Sequence, residues 1–199
     1  MPRSLLILAV LFPASTAALH GQTDYYARVG AIWASDLLRD VIVSEINVRQ
    51  SIAPMVAFGA SLPISPGYRV GLEAAVTSGG FHSEEGPVET DLGTLRTGSL
   101  LLNLEGPLAQ GIRWRAGLGA LMYWPSDDTG IFRQGGSTRW LAGAGADYRR
   151  PAFDRWDFMA SLRYDYHRFT TDELEARDFS STQAVSRVSL SVGVARSLR

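Results

Sequence analysis

The chain has 199 residues, 46% of them hydrophobic and 20% charged, with a formal net charge of −1. It carries 20 glycines, no cysteine and no lysine, so every basic residue is an arginine. The near-neutral balance excludes a nucleic-acid binder, which needs a dense basic face, and the missing cysteines exclude disulfides, thiolate metal sites, a cysteine nucleophile and a lipid anchor on an N-terminal cysteine.

The first residues follow the three-part pattern of a secretory leader. Arg3 supplies the positive charge, Leu5 to Phe12 the apolar core and Pro13 the break; small residues follow from Ser15 to Ala18. A signal peptide over residues 1–18, cleaved near Ala17 or Ala18, is the reading. Beyond it, no stretch approaches the roughly 20 apolar residues of a spanning helix. The mature chain is therefore expected to be a soluble exported protein or a barrel that crosses a membrane with strands.

Alternation of period two, the mark of strands with unlike faces, recurs in eight segments. They are Tyr25–Ser35, Ile52–Leu62, Tyr68–Thr77, Leu95–Glu105, Ile112–Trp124, Arg139–Arg149, Trp156–Phe169 and Val185–Leu198. Each is about as long as the 9–11 residues of a tilted membrane strand. Helix is disfavoured by Gly-x-Gly pairs such as Gly117/Gly119 and Gly143/Gly145. The links alternate in length, short around Pro63–Gly67, Gly106–Gly111 and Arg150–Arg155, long over residues 36–45, 79–94, 125–137 and 170–183. This predicts an all-β fold, an eight-stranded antiparallel up-and-down transmembrane β-barrel with short periplasmic turns and four long outer loops. It fills one domain, residues 23–199.

The aromatic residues decide which face meets what. All five tryptophans fall on the apolar faces near strand ends. Threading the strands up and down puts Tyr25, Tyr68, Trp114, Tyr148 and Trp156 at the short-turn end, and Trp33, Trp124, Trp140 and Tyr166 at the long-loop end. Two aromatic belts flanking small aliphatic residues such as Leu72, Leu100, Leu118 and Leu162 are the signature of a lipid-facing wall. The other face holds Arg28, Arg69, Glu73, Glu105, Arg113, Arg115, Asp147, Arg149, Asp157, Arg163, Asp165, His167 and Arg187. An eight-stranded ring has room inside only for side chains, so these are expected to interlock as a lumen charge network, with His167 the partner of Asp165 or Arg163.

At this point the pattern resembles the small outer-membrane β-barrel proteins, the OmpA/OmpX/OmpW-like group. The resemblance covers about residues 23 to 199 and rests on architecture. The last strand, Ser191-Val-Gly193-Val-Ala-Arg196-Ser-Leu198, is similar to that group's barrel-assembly signal, with Arg196 in an apolar slot and Arg199 where an aromatic residue is usual. The resemblance implies a monomeric outer-membrane protein that meets outer-membrane lipids or lipopolysaccharide and the barrel-assembly machinery, with no peptidoglycan-binding domain after the barrel.

No enzyme is expected. A lipid A deacylase of similar build uses a His-x-Ser pair, whereas His167 is followed by Arg168 and Phe169, and His82-Ser83 falls in an expected loop. No cofactor and no metal site are expected from histidine clusters either. The expected long loops hold 13 acids against 3 arginines, among them Glu84, Glu85, Glu89, Asp91, Asp127, Asp128, Asp172, Glu173, Glu175 and Asp178. A solvated acidic surface is the plainer reading; divalent cations held by these carboxylates are the sharper one. The functional expectation is a structural or surface-interaction protein with a plugged lumen. A narrow pore or small-solute transporter is the alternative, and a soluble periplasmic ligand-binding barrel the third reading.

Overall fold

The computed structural model describes residues 23–41, 45–127, 132, 136–171 and 183–198. The expected leader, and Asp128, Asp172, Glu173, Glu175 and Asp178, lie outside the described residues.

Ten strands follow in chain order: β1 (Thr23–Ala34), β2 (Leu38–Val41), β3 (Glu45–Gln50), β4 (Ala53–Ser65), β5 (Tyr68–Glu85), β6 (Val88–Ala109), β7 (Ile112–Pro125), β8 (Ser137–Phe153), β9 (Trp156–Phe169) and β10 (Gln183–Leu198). Eight of them, β1 and β4 to β10, pair antiparallel with their neighbours in a ring. The ring closes where β1 runs against β10, from Thr23 opposite Leu198 to Ala34 opposite Arg187. Each expected segment falls on one strand of that ring, with only Ser35 and Ile52 one residue outside β1 and β4, and closure leaves its central ladder without an open edge.

The period-two code reads directly in the burial. Along β5, Glu73, Ala75 and Thr77 are buried while Leu72, Ala74 and Val76 are exposed. Along β9, Met159, Ser161, Arg163, Asp165 and His167 are buried between exposed Leu162, Tyr164 and Tyr166. Charged residues thus face the interior of the ring and aliphatic residues face outward.

The short connections are tighter than the sequence suggests. Strands continue through the proline-containing stretches and leave two-residue turns at 66–67, 110–111 and 154–155. Pairing shifts register beside Pro63, Pro107 and Pro151, three residues ahead of each turn. A proline has no N–H for the ladder, so a bulge is where a strand accommodates it. Gly67 and Gly111 then adopt φ of 82° and 72°, and Asp154 takes 48°.

The opposite end departs from expectation in two places. Residues 36–45, expected as loop, contain β2 and the first residue of β3; β2 pairs antiparallel with β3, and β3 pairs with the far end of β5 from Ile46/Glu85 to Gln50/Phe81. Residues 79–94, also expected as loop, continue β5 and β6 as a ribbon to a turn at Gly86, whose φ is 56°, with β3 along its β5 edge. His82, Ser83, Glu84, Glu85, Glu89 and Asp91 therefore sit on strands. The charges there hide the strand signal, because beyond the buried Phe81 the ribbon is too polar to show apolar alternation.

Candidate functional site

The interior of the ring is the densest concentration of chemistry in the chain. It divides into two layers. At the short-turn end, Asp24, Tyr26 and Arg28 from β1 meet Arg69 and Glu73 from β5, Glu105 from β6, Arg113 and Arg115 from β7, and Asp147 and Arg149 from β8. Asp24 accepts ion pairs from Arg69 at 3.2 Å and Arg149 at 2.9 Å. Arg149 reaches Glu105 at 3.4 Å, and Arg113 approaches the same carboxylate at 3.8 Å. Arg115 is the hub: it lies 2.5 Å from Glu73, 3.1 Å from Glu105 and 2.5 Å from Asp147. Glu73 also pairs with Arg28, stands 3.9 Å from Arg163 and accepts the Tyr26 hydroxyl hydrogen bond at 2.8 Å.

One step further in, Arg163 donates to Asp165 at 2.5 Å and to the Asn103 side-chain oxygen at 3.0 Å. Arg187 donates to Thr97 at 2.9 Å, which is bonded to Thr77 at 2.7 Å. The hub residues are almost wholly out of solvent, with Arg115 at 2% and Glu105 at 0% exposure. Charges so placed are tolerable only when paired, and this arrangement gives the arginines several carboxylate and hydroxyl acceptors.

Space for the network comes from glycine. A Cβ on Gly143 would stand 2.8 Å from Arg163 Nη2, and one on Gly117 would stand 3.2 Å from the same atom. Replacing Gly143 by valine should therefore displace Arg163 from Asp165 and lower stability by about 1–3 kcal/mol, the usual range for overfilling a packed interior. Urea unfolding of the folded barrel measures it; an unchanged midpoint would mean that the interior has slack.

The second layer adds to the expected charge network. Toward the other end the interior is apolar: Leu95, Leu101, Leu121, Leu141, Phe169 and Val185 cluster with Phe81, Tyr123 and Phe132. Phe132 lies edge-on to Phe81 at 5.7 Å and to Phe169 at 5.9 Å between ring centres. Inward leucines are in phase with Asn103 and Glu105 on β6, with Arg113 and Arg115 on β7 and with Arg149 on β8, so the segregation arises along each strand and not between strands.

His167 stands at the boundary and corrects one expectation. Its Nε2 is 2.5 Å from the hydroxyl of Tyr123 on β7, reached over β8, and is not bonded to Asp165 or Arg163. Neighbours two residues apart on one strand share a face, but the next strand but one offers the shorter reach. Asp157, at the short-turn end of β9, is half-buried and makes no ion pair among the described residues. Several interior partners escaped the sequence reading, among them Asp24, Tyr26, Thr97 and Asn103. Asp24 and Tyr26 are in phase with Arg28 on β1, which is the signal that would have found them.

The outer wall carries the aromatic residues. Tyr25, Trp33, Tyr68, Trp124, Trp140, Tyr148 and Tyr166 are exposed, Trp140 at 84%, while Trp114 and Trp156 are half-buried. Trp114 and Trp124 lie over the Cα positions of Gly106 and Gly98, where an added Cβ would come within 2.6 Å of their rings. Arg196, the departure in the last strand, faces outward and stacks over Trp156 at 5.4 Å. A cation over an indole face is a stable arrangement at the rim of an apolar belt.

No family model matches the chain, and no curated protein is similar to it in sequence. Solved structures do resemble it. The outer membrane protein AlkL, determined in lipid bilayers, superposes with a TM-score of 0.63 at 14% identity, covering 94% of this chain and 95% of that one. OprG from Pseudomonas aeruginosa gives 0.52 at 12% identity over 90% and 96%, and Neisserial surface protein A gives 0.53 at 16% identity over 87% and 96%. The fold is that of the small eight-stranded outer-membrane β-barrels.

Proposed function

We propose that the protein is an integral outer-membrane barrel with a structural or surface-interaction role, its lumen closed by its own side chains. The observation that carries this reading is how little space the interior retains. Between the ionic layer and the apolar layer lies a cavity of about 20 Å³, bordered by Arg28, Glu73, Thr97, Arg163 and Arg187. That is room for a single water. A conducting pore needs a continuous aqueous path, and a soluble carrier needs a pocket of roughly 300 Å³ or more for its ligand.

Membrane placement is supported by the wall: Val29, Val56, Leu72, Leu100, Leu102, Leu118, Leu162 and Leu190 are all exposed around the ring. A soluble monomer rarely shows an apolar patch beyond a few hundred Å². In this reading the leader exports the chain, the barrel-assembly machinery inserts it as a monomer, and the belt contacts outer-membrane lipids or lipopolysaccharide. The acidic ribbon of β5 and β6 then stands outside the bilayer as the interaction surface. No catalytic role is assigned to any residue.

Planar-bilayer recording tests the closed lumen. The expected result is silence after verified insertion. Steady unitary conductance would replace this reading by the narrow-pore one. Extraction of the protein from membranes by carbonate would remove the integral barrel altogether.

A further inference from the structure

Outside the ring, one face of the ribbon gathers chemistry that the lumen does not use. β3 pairs with β5 so that Arg49 stands opposite His82, and β5 pairs with β6 so that Glu84 stands opposite Glu89. Residues directly opposite, and residues two apart, share a face of an antiparallel ladder. His82, Glu84 and Glu89 are thereby brought together, each offering one ligand atom, and these atoms all lie within 4.8 Å of one another. His82 Nε2 is 3.9 Å from a Glu89 oxygen.

Arg49 shows how this cluster treats a cation. Its Nε donates to His82 Nε2 at 2.9 Å, and its guanidinium pairs with Glu84. The bond from Arg49 fixes His82 Nε2 as an acceptor, so the lone pair that would bind a metal already points into the cluster. Two glutamates directly opposite are mutually unfavourable on a ladder. A single guanidinium paired with one of them leaves the other uncompensated.

We propose that His82, Glu84 and Glu89 form a site for a divalent transition-metal ion of the zinc class, with Arg49 holding the cation's place until the metal displaces it. One imidazole nitrogen and two carboxylate oxygens are borderline ligands that favour zinc, nickel or copper; calcium and magnesium prefer all-oxygen sets. Zinc bound at about 2.0–2.2 Å holds tetrahedral ligand atoms about 3.4 Å apart, so the His82–Glu89 pair must close by about half an ångström and a pair at the 4.8 Å limit by about 1.4 Å, which side-chain rotation supplies. Arg49 can leave at little cost because its side chain is 46% exposed. Water completes the coordination, and the metal ties β5 to β6 outside the ring in place of Arg49 tying β3 to β5.

The test is calorimetric titration of the full chain, folded in detergent micelles, with zinc chloride alone. One saturable site is expected. His82→Ala and Glu89→Gln should each weaken it about tenfold or more, and Arg49→Ala, which removes the competitor, should tighten it several-fold. Circular dichroism checks that each variant folds, and Glu84→Gln replaces any variant that does not. Isotherms unchanged in His82→Ala and Glu89→Gln would overturn the site. Weaker binding in Arg49→Ala would overturn the displacement and make the arginine a support of the cluster.

Discussion

Replacing Arg115 by leucine should destabilise the barrel by about 3–5 kcal/mol, the range for breaking a buried charge cluster by removing one partner. The reason lies in what stays behind. Glu73 keeps Arg28 and the distant Arg163, and Glu105 keeps Arg113 and Arg149, both at longer range. Asp147 keeps nothing: its ion pair with Arg115 is its only one among the described residues, and it is 1% exposed. Leucine has the bulk to fill part of the space but offers no donor to three carboxylates. The comparison variant is Arg113→Leu, whose guanidinium is partly solvated, 3.8 Å from Glu105, and bonded to the Gly67 carbonyl. That change should cost about 1 kcal/mol. Adding Asp147→Asn to Arg115→Leu should recover part of the larger loss, since the uncompensated charge is removed with its partner. Urea unfolding of protein folded into lipid vesicles gives all the values. Equal losses for Arg115→Leu and Arg113→Leu would mean that the hub does not hold the interior together.

The same residues show what was legible in the chain. Alternation in Tyr68–Thr77 or Ile112–Trp124 is a direct record of a two-faced strand, and eight such records with alternating gaps leave few topologies open. Which face turns inward is also written locally, because Arg113, Arg115 and Gly117 share a phase opposite to Trp114, Ala116 and Leu118. Partner choice is not. The link between Arg115 and Glu73, or Tyr123 and His167, depends on the stagger of strands around the ring, and no one strand encodes that stagger. The apolar upper layer stayed hidden for a related reason: Leu101, Leu121 and Leu141 share the inward phase on three separate strands, and only closure stacks them into one cluster. The ribbon of β5 and β6 stayed hidden because, beyond Phe81 and Leu92, its residues are mostly polar. His82 and Glu89 are seven residues apart with a turn between, so only the hairpin register brings them together.

Leu118→Arg should impair assembly by about 2–4 kcal/mol, the measured scale for an arginine on the lipid face at mid-bilayer. Leu118 is the sharpest position for this test. It lies midway along β7, between Trp114 and Trp124, and is 66% exposed on the outer wall. In water an exposed arginine there would be neutral or would improve solubility, so the sign of the effect separates a lipid-facing wall from a wetted one. Snorkelling offers little relief, because the charged head would have to reach past a belt of rings in either direction. The control is Gln110→Arg, in the exposed two-residue turn between β6 and β7, where the same side chain meets water and should change little. The yield of folded protein in lipid vesicles, with its urea midpoint, measures both variants. If Leu118→Arg behaves like Gln110→Arg, the outward aliphatic residues do not face hydrocarbon, and the ionic interior must then be explained in a protein that lives in water.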